Sequence, residues 1–165
     1  MSGIIQIIFG FCCLLIAEIG ILFGLSYYAI NVIAFCYVEP IFTGCMLLFA
    51  ILSLCKVPIR KIGIIFFWLV VGSIIVLFII GTVYIIKDCY VYQNNLELLR
   101  QHLLIKETDP FIINKFNDTM FWLQDIGYKR NVSYELVNIL LYVVAMPVLC
   151  ITSYIVIRKR KCTVK

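Results

Sequence analysis

The sequence predicts an all-α membrane protein, a four-transmembrane-helix bundle with a partly helical large second outer loop, built as one domain over 1–165. Three observations carry this. Of 165 residues, 64% are hydrophobic and 14% charged, with a mean hydropathy of +1.06, whereas soluble domains sit near half apolar and about a quarter charged. Four apolar runs approach or exceed the roughly 20 residues needed to cross about 30 Å of hydrocarbon. Dense cationic clusters flank two of those runs without any intervening acid.

The first run, 3–25, is interrupted only by Gln6 and Glu18. It has no basic segment ahead of it and no small-residue cleavage site, so it reads as a retained helix. The second, 39–56, is the shortest. Glu39-Pro40 marks its start, because proline fits the first turn of a helix. The third, 62–86, contains no charged residue, and the fourth, 136–157, has Asn138 as its most polar member and Pro147 as a bend. Between the third and fourth lies a large loop, 87–135.

Orientation follows from the cations. The turn "KVPIRK" holds Lys56, Arg60 and Lys61, and the tail holds Arg158, Lys159, Arg160, Lys161 and Lys165. Such clusters beside membrane ends stay cytoplasmic. The turn and both termini are therefore expected inside, with the plasma membrane as the expected location. The basic tail also suits anionic lipid. A net charge of +5 spread so thinly between apolar runs excludes nucleic acid as a partner. Two N-x-S/T sequons, at Asn117 and Asn131, fall in the large loop and make both candidate glycosylation sites.

Within that loop, "TDPFIINKFNDTMFWLQDIGY" reads as an amphipathic helix with Asp109 as cap, Pro110 in the first turn and Gly127 as stop. Ile112, Ile113, Phe116, Met120 and Leu123 share one face, and Asn114, Asn117, Asp118, Gln124 and Asp125 the other. The run "NLELLRQHLLIKE", 95–107, is a second helical candidate. The apolar faces either pack together, lie on headgroups, or meet a partner.

Eight cysteines are present. Cys12, Cys13, Cys45 and Cys150 fall within spans as packing residues. Cys55 and Cys162 flank cationic segments and are candidate palmitoylation sites. Cys36 and Cys89 are the two expected on the oxidising side, a candidate disulfide. Gly10, Cys13, Ala17, Gly20 and Gly24 form a small-residue stripe, with Gly10, Ala17, Gly20 and Gly24 as helix-packing positions for this chain or a second copy. Glu18 is the intramembrane acid, expected neutral and bonded to Ser73, Asn138 or Thr152. No nucleophile–base pair, phosphate loop or paired carboxylates stand out, and His102 is the single histidine. The expectation is a non-enzyme without cofactor or metal.

"SGIIQIIFG" (Gly3, Gln6, Ile7, Gly10), "EPIFTG" (Pro40, Phe42, Gly44) and "LSLCKVP" (Leu52, Ser53, Lys56, Pro58) resemble, over residues 3 to 86, the membrane-spanning four-domain subfamily A family. The resemblance implies a non-enzymatic surface protein that oligomerises and modulates receptor complexes or calcium signalling. Tetraspanins share the layout, but their large loop carries a Cys-Cys-Gly motif, and this loop has only Cys89. The partners expected are the bilayer, a second copy or other membrane proteins. An ion channel or transporter subunit, or a tetraspanin-like membrane organiser, is the alternative.

Overall fold

The computed structural model describes residues 2–55, 57–91 and 105–159. Its described residues fold into α1 (Ser2–Leu22), α2 (Tyr27–Leu54), α3 (Arg60–Val91), α4 (Pro110–Arg130) and α5 (Tyr134–Lys159), and include no strand. Helices α1, α2, α3 and α5 are long and apolar enough to cross a membrane. The chain is an all-α, multi-pass membrane protein.

Three expected boundaries move by more than a couple of residues. The first helix stops at Leu22 rather than running to 25. Gly24 adopts φ +67°, a left-handed conformation natural to glycine. The Leu25 N–H then donates to the Gly20 carbonyl at 2.8 Å. Ser26 caps the next helix, its Oγ accepting the Ala29 N–H at 3.0 Å. Helix α2 therefore begins at Tyr27, and Glu39-Pro40 lies mid-helix instead of opening it. The chain passes Pro40 through a π-helical stretch, Val32–Val38, in which the Glu39 N–H reaches back five residues to Ala34 O. Proline crowds the carbonyl four residues back, and a widened turn just ahead of it relieves that crowding. Helix α3 runs past 86 to Val91; its 32 residues span about 48 Å, well beyond about 30 Å of hydrocarbon.

Helices α1 and α3 run the same way: Phe11 meets Phe78, and Leu15 and Ile19 close over Gly81. Helices α2 and α5 both run against α3, with Phe49 and Ile157 packed at Gly63 and Tyr154 stacked on Phe67 at 4.3 Å. One core gathers Met46, Ala50, Phe67, Cys150 and Ile157; a second gathers Leu123, Val137 and Tyr142. Arg60 and Lys61 share one end of the bundle with Arg158 and Lys159, here the basic end; Ser26 and Ser133 lie at the opposite, capped end.

The hairpin α1–α2 recurs as α4–α5. Counterparts stand 107 positions apart, the separation of the hydrogen-bonded pair Thr43 and Cys150. Gly20, Gly24, Ser26, Tyr27, Asn31 and Pro40 thus map onto Gly127, Asn131, Ser133, Tyr134, Asn138 and Pro147. Local geometry repeats with them. Asn131 is left-handed at φ 53°, the Val132 N–H donates to Gly127 O at 2.9 Å, and Ser133 Oγ accepts the Leu136 N–H at 3.3 Å. A second π stretch, Ile139–Ala145, precedes Pro147, with the Met146 N–H donating to Leu141 O. Contacts between the hairpins repeat too. Phe9 meets Tyr134 at 5.8 Å, and the counterpart rings Phe116 and Tyr27 meet at 6.1 Å. Phe35 packs on its own counterpart, Tyr142, at 4.6 Å. Residue i on j with j on i is the contact pattern of a twofold axis, which here runs between α2 and α5.

Candidate functional site

The seam between α2 and α5, crossed at its capped end by α4, gathers most of the polar chemistry. Helix α4 starts as its sequence requires: Asp109 Oδ1 accepts the Phe111 N–H at 2.9 Å and Pro110 occupies the first turn. Leu123 is buried and Ile112, Ile113, Phe116 and Met120 are half-buried, while Asn114, Asn117, Asp118, Gln124 and Asp125 are exposed. The apolar face packs within the chain. Phe116 lies against Tyr27 and Tyr28, and Thr119 Oγ1 sits 3.3 Å from Cys36 Sγ. Gly127 does not stop the helix, which continues to Arg130 and ends on left-handed Asn131. Its role is close packing, since a Cβ there would lie 2.8 Å from Val132 O.

The strand of chain entering α4 is tied to the α2 cap. Buried Ser26 donates its hydroxyl to Glu107 Oε2, and Glu107 Oε1 accepts the N–H groups of Thr108 and Asp109, each at 2.9 Å. These bonds, the Ser26 hydroxyl first, hold the Glu107 carboxyl below its ordinary value. A groove of about 350 Å³ lined by Tyr28, Lys106, Glu107 and Asn117 opens beside this junction. A small cavity of about 30 Å³ lies between α2, α4 and α5, lined by both Asn31 and Asn138 and both Phe35 and Tyr142.

Glu18 is buried at 4% exposure, but its partner differs from those expected. Its side chain faces Asp88 and Lys87 on α3. Ser73 instead donates to Leu69 O and Thr152 to Leu149 O, each at 2.9 Å. This carboxyl pair joins positions far apart in sequence and was therefore invisible to a search for local motifs. Glu39 was missed for another reason. Read as the start of the second helix, it stands instead near the midpoint of α2, half-buried and facing Tyr142 and Cys150 across the seam.

Cys36 and Cys89 are free thiols, so the expected pairing is not formed: Cys36 is engaged with Thr119 inside the helical assembly, and Cys89 is exposed on α3. Cys13 accepts the Tyr27 hydroxyl at 3.3 Å, Cys150 contacts Thr43 at 3.4 Å, Cys12 and Cys45 are half-buried, and Cys55 is exposed at the end of α2. Cys162, His102, Lys56, the tail beyond Lys159 and most of the 95–107 segment lie outside the described residues; the described end, 105–107, is not helical. The small-residue stripe divides. Ala17 is buried, Gly20 faces Leu25 O and Ile30 of its own hairpin, Gly24 belongs to the turn, and Gly10 borders open space. Asn117 and Asn131 are both exposed. The chain matches no protein-family model, no characterised protein and no solved structure.

Proposed function

We propose that this chain is a non-enzymatic four-pass membrane scaffold that associates with itself or with other membrane proteins, such as a receptor complex, and modulates their signalling. One observation carries the reading. The bundle interior is filled by ring pairs, Phe35–Tyr142, Phe42–Phe66, Phe49–Phe66 and Phe67–Tyr154, whereas α3 turns Ile62, Ile65, Trp68, Leu69, Ile75 and Ile79 outward. A filled interior leaves no aqueous path of the kind a conduit requires, and a continuous apolar flank is what lipid or neighbouring helices cover. The basic end is the cytoplasmic one in this reading, placing the turn and both termini inside the plasma membrane and Asn117 outside for glycosylation. Anionic lipid then meets the basic end, and Cys55 is available there for acylation.

Affinity purification of the tagged full chain in mild detergent tests the association. Recovery of a second, differently tagged copy or a defined membrane partner supports it, and recovery of the chain alone at monomer mass sinks it. A tag after Lys165 reached by antibody on intact cells reverses the orientation. The transporter or channel reading rests on the acids Glu18 and Glu39 within spans, and predicts an ion current in vesicles that Glu18→Gln abolishes.

A further inference from the structure

The α2–α5 seam holds an arrangement that scaffolding does not use. Glu39 lies near the middle of α2, while the described lysines and arginines of the spans stand at helix ends: Arg60, Lys61 and Lys87 on α3, Arg158 and Lys159 on α5. A carboxylate in hydrocarbon is expensive unless a cation accompanies it, and among the described residues no side chain at this level supplies one. The titratable groups facing it are the Tyr142 phenol and the Cys150 thiol from α5, with Cys36 on its own helix beside Tyr142. Helix α3 carries only Tyr84 as a titratable group between Lys61 and Lys87, and α4 meets α2 through Phe116 and Thr119.

The backbone around Glu39 is short of donors. Its N–H is given to Ala34 O, and Pro40 has none. The Phe35 carbonyl thereby loses both its α-helical and its π-helical donor. Across the seam the Met146 N–H is given to Leu141 O and Pro147 has none, so the Tyr142 carbonyl loses the same two. Phe35 and Tyr142 are the residues whose rings meet across the axis, and Thr43 follows one turn later on α2, its Oγ1 at Cys150. Residues 35, 39 and 43 recur every four positions on α2 with Tyr142 across the seam, so one carboxylate, two carbonyls released from the helix ladder and a hydroxyl, all hard oxygen donors, are placed along one stretch of it. Proline-interrupted segments at corresponding positions of two repeats are also where repeat-built membrane proteins hold coupling ions.

We infer that the seam at the level of Pro40 and Pro147 binds a small monovalent cation, sodium or the proton, with Glu39 as the charged ligand and Thr43 and the Phe35 and Tyr142 carbonyls as neutral ones. A single carboxylate balances a single positive charge. Because ligands come from both hairpins, occupancy ties them together and stabilises the folded chain by mass action.

The test uses the purified full chain in nanodiscs of zwitterionic lipid. Its thermal midpoint is read by tryptophan fluorescence in sodium chloride and in choline chloride at equal ionic strength, from acid to alkaline pH. A saturable rise with sodium identifies sodium as the occupant. A midpoint that rises on acidification and ignores sodium identifies the proton. Either response should vanish in Glu39→Gln, which keeps the shape and removes the charge. A wild-type midpoint indifferent to both ions overturns the inference, as does a Glu39→Gln variant with the wild-type response. Should that variant not accumulate, labelling of the wild-type chain by a hydrophobic carbodiimide decides. An adduct at Glu39 that sodium or alkali suppresses supports the site, and no adduct or an unresponsive one refutes it.

Discussion

Replacing Gly127 by alanine should destabilise the chain, against the usual direction for a helical glycine. In an exposed helix interior the change gains about 0.5–1 kcal/mol from backbone entropy and helix propensity. Here the new Cβ would lie 2.8 Å from Val132 O, 3.5 Å from Val137 Cγ2 and 3.7 Å from Tyr134 N. Ordinary contact begins at 3.4 Å, so the oxygen must retreat by about 0.6 Å. That oxygen belongs to the turn whose N–H closes on Gly127 O at 2.9 Å, and the turn is pinned by the Ser133 cap one residue on. Overpacking against such a neighbour costs about 1–3 kcal/mol. The net expectation is a loss of about 1–2 kcal/mol, a drop of roughly 2–8 °C in thermal midpoint for a chain of this size. Denaturant titration and thermal unfolding of the reconstituted protein read it directly. Gly10→Ala, with nothing within 4 Å of its Cβ, is the matched control and should be neutral or stabilising. A Gly127→Ala variant as stable as wild type, or more so, would refute the close approach and with it the turn geometry that defines the repeat.

Other expectations follow from the same contacts. Asn131→Val should cost about 1–2 kcal/mol because a β-branched residue resists the left-handed region, whereas Asn131→Gly should be near neutral; both delete the sequon, so their difference in midpoint is free of any glycan effect. The Glu107 carboxyl is held below its ordinary 4.5. Its bond to Ser26 therefore stabilises the junction fully above that value and is lost as pH falls through the lower folded one. Amide exchange at Thr108 and Asp109, corrected for intrinsic rates, should rise in acid, and a profile unchanged by Ser26→Ala would contradict this. Thr43→Cys should crosslink to Cys150 on mild oxidation, given the 3.4 Å separation of Oγ1 and Sγ; peptide mapping that finds the introduced thiol joined to any other cysteine would disprove the parallel register of α2 and α5.

The spans were legible because long apolar runs admit few alternatives in a chain this greasy. The α4 helix was legible too, from Asp109-Pro110 at its start and a 3.6-residue period that the buried Leu123 and exposed Asp118 and Asp125 obey. The start of α2 was not. A proline after an acid has the same local signature at a helix N-terminus as after a π turn, and only the bond from Glu39 N–H to Ala34 O separates them. Gly24 looked like one more member of a small-residue stripe until its positive φ showed it to be a turn residue. Glu18 and Asp88 meet only because α1 and α3 run side by side, information no local pattern contains. The repeat was hidden because six identical or like residues spread through each hairpin are lost among apolar substitutions.

Those few residues explain how α1 and α4 can occupy equivalent places with opposite compositions. Each is 21 residues long and each enters its turn through a glycine that lets the following chain approach. The turn geometry needs that glycine, a left-handed residue and a serine cap; the seam needs the tyrosine, the asparagine and the proline. Nothing in this set fixes the hydropathy of the helix before the turn. The face of α1 bearing Phe11, Leu15 and Glu18 is covered by α3, through Phe78, Gly81 and Asp88. The corresponding residues of α4 are Asp118, Trp122 and Asp125, all exposed, with Asp125 bonded to Lys129 at 2.6 Å. Among the described residues no helix covers that face, which leaves α4 amphipathic. One hairpin geometry thus serves with a membrane-spanning first helix on one side of the axis and with a polar-faced helix over the seam on the other, the apolar face of the first matched by its contact with α3.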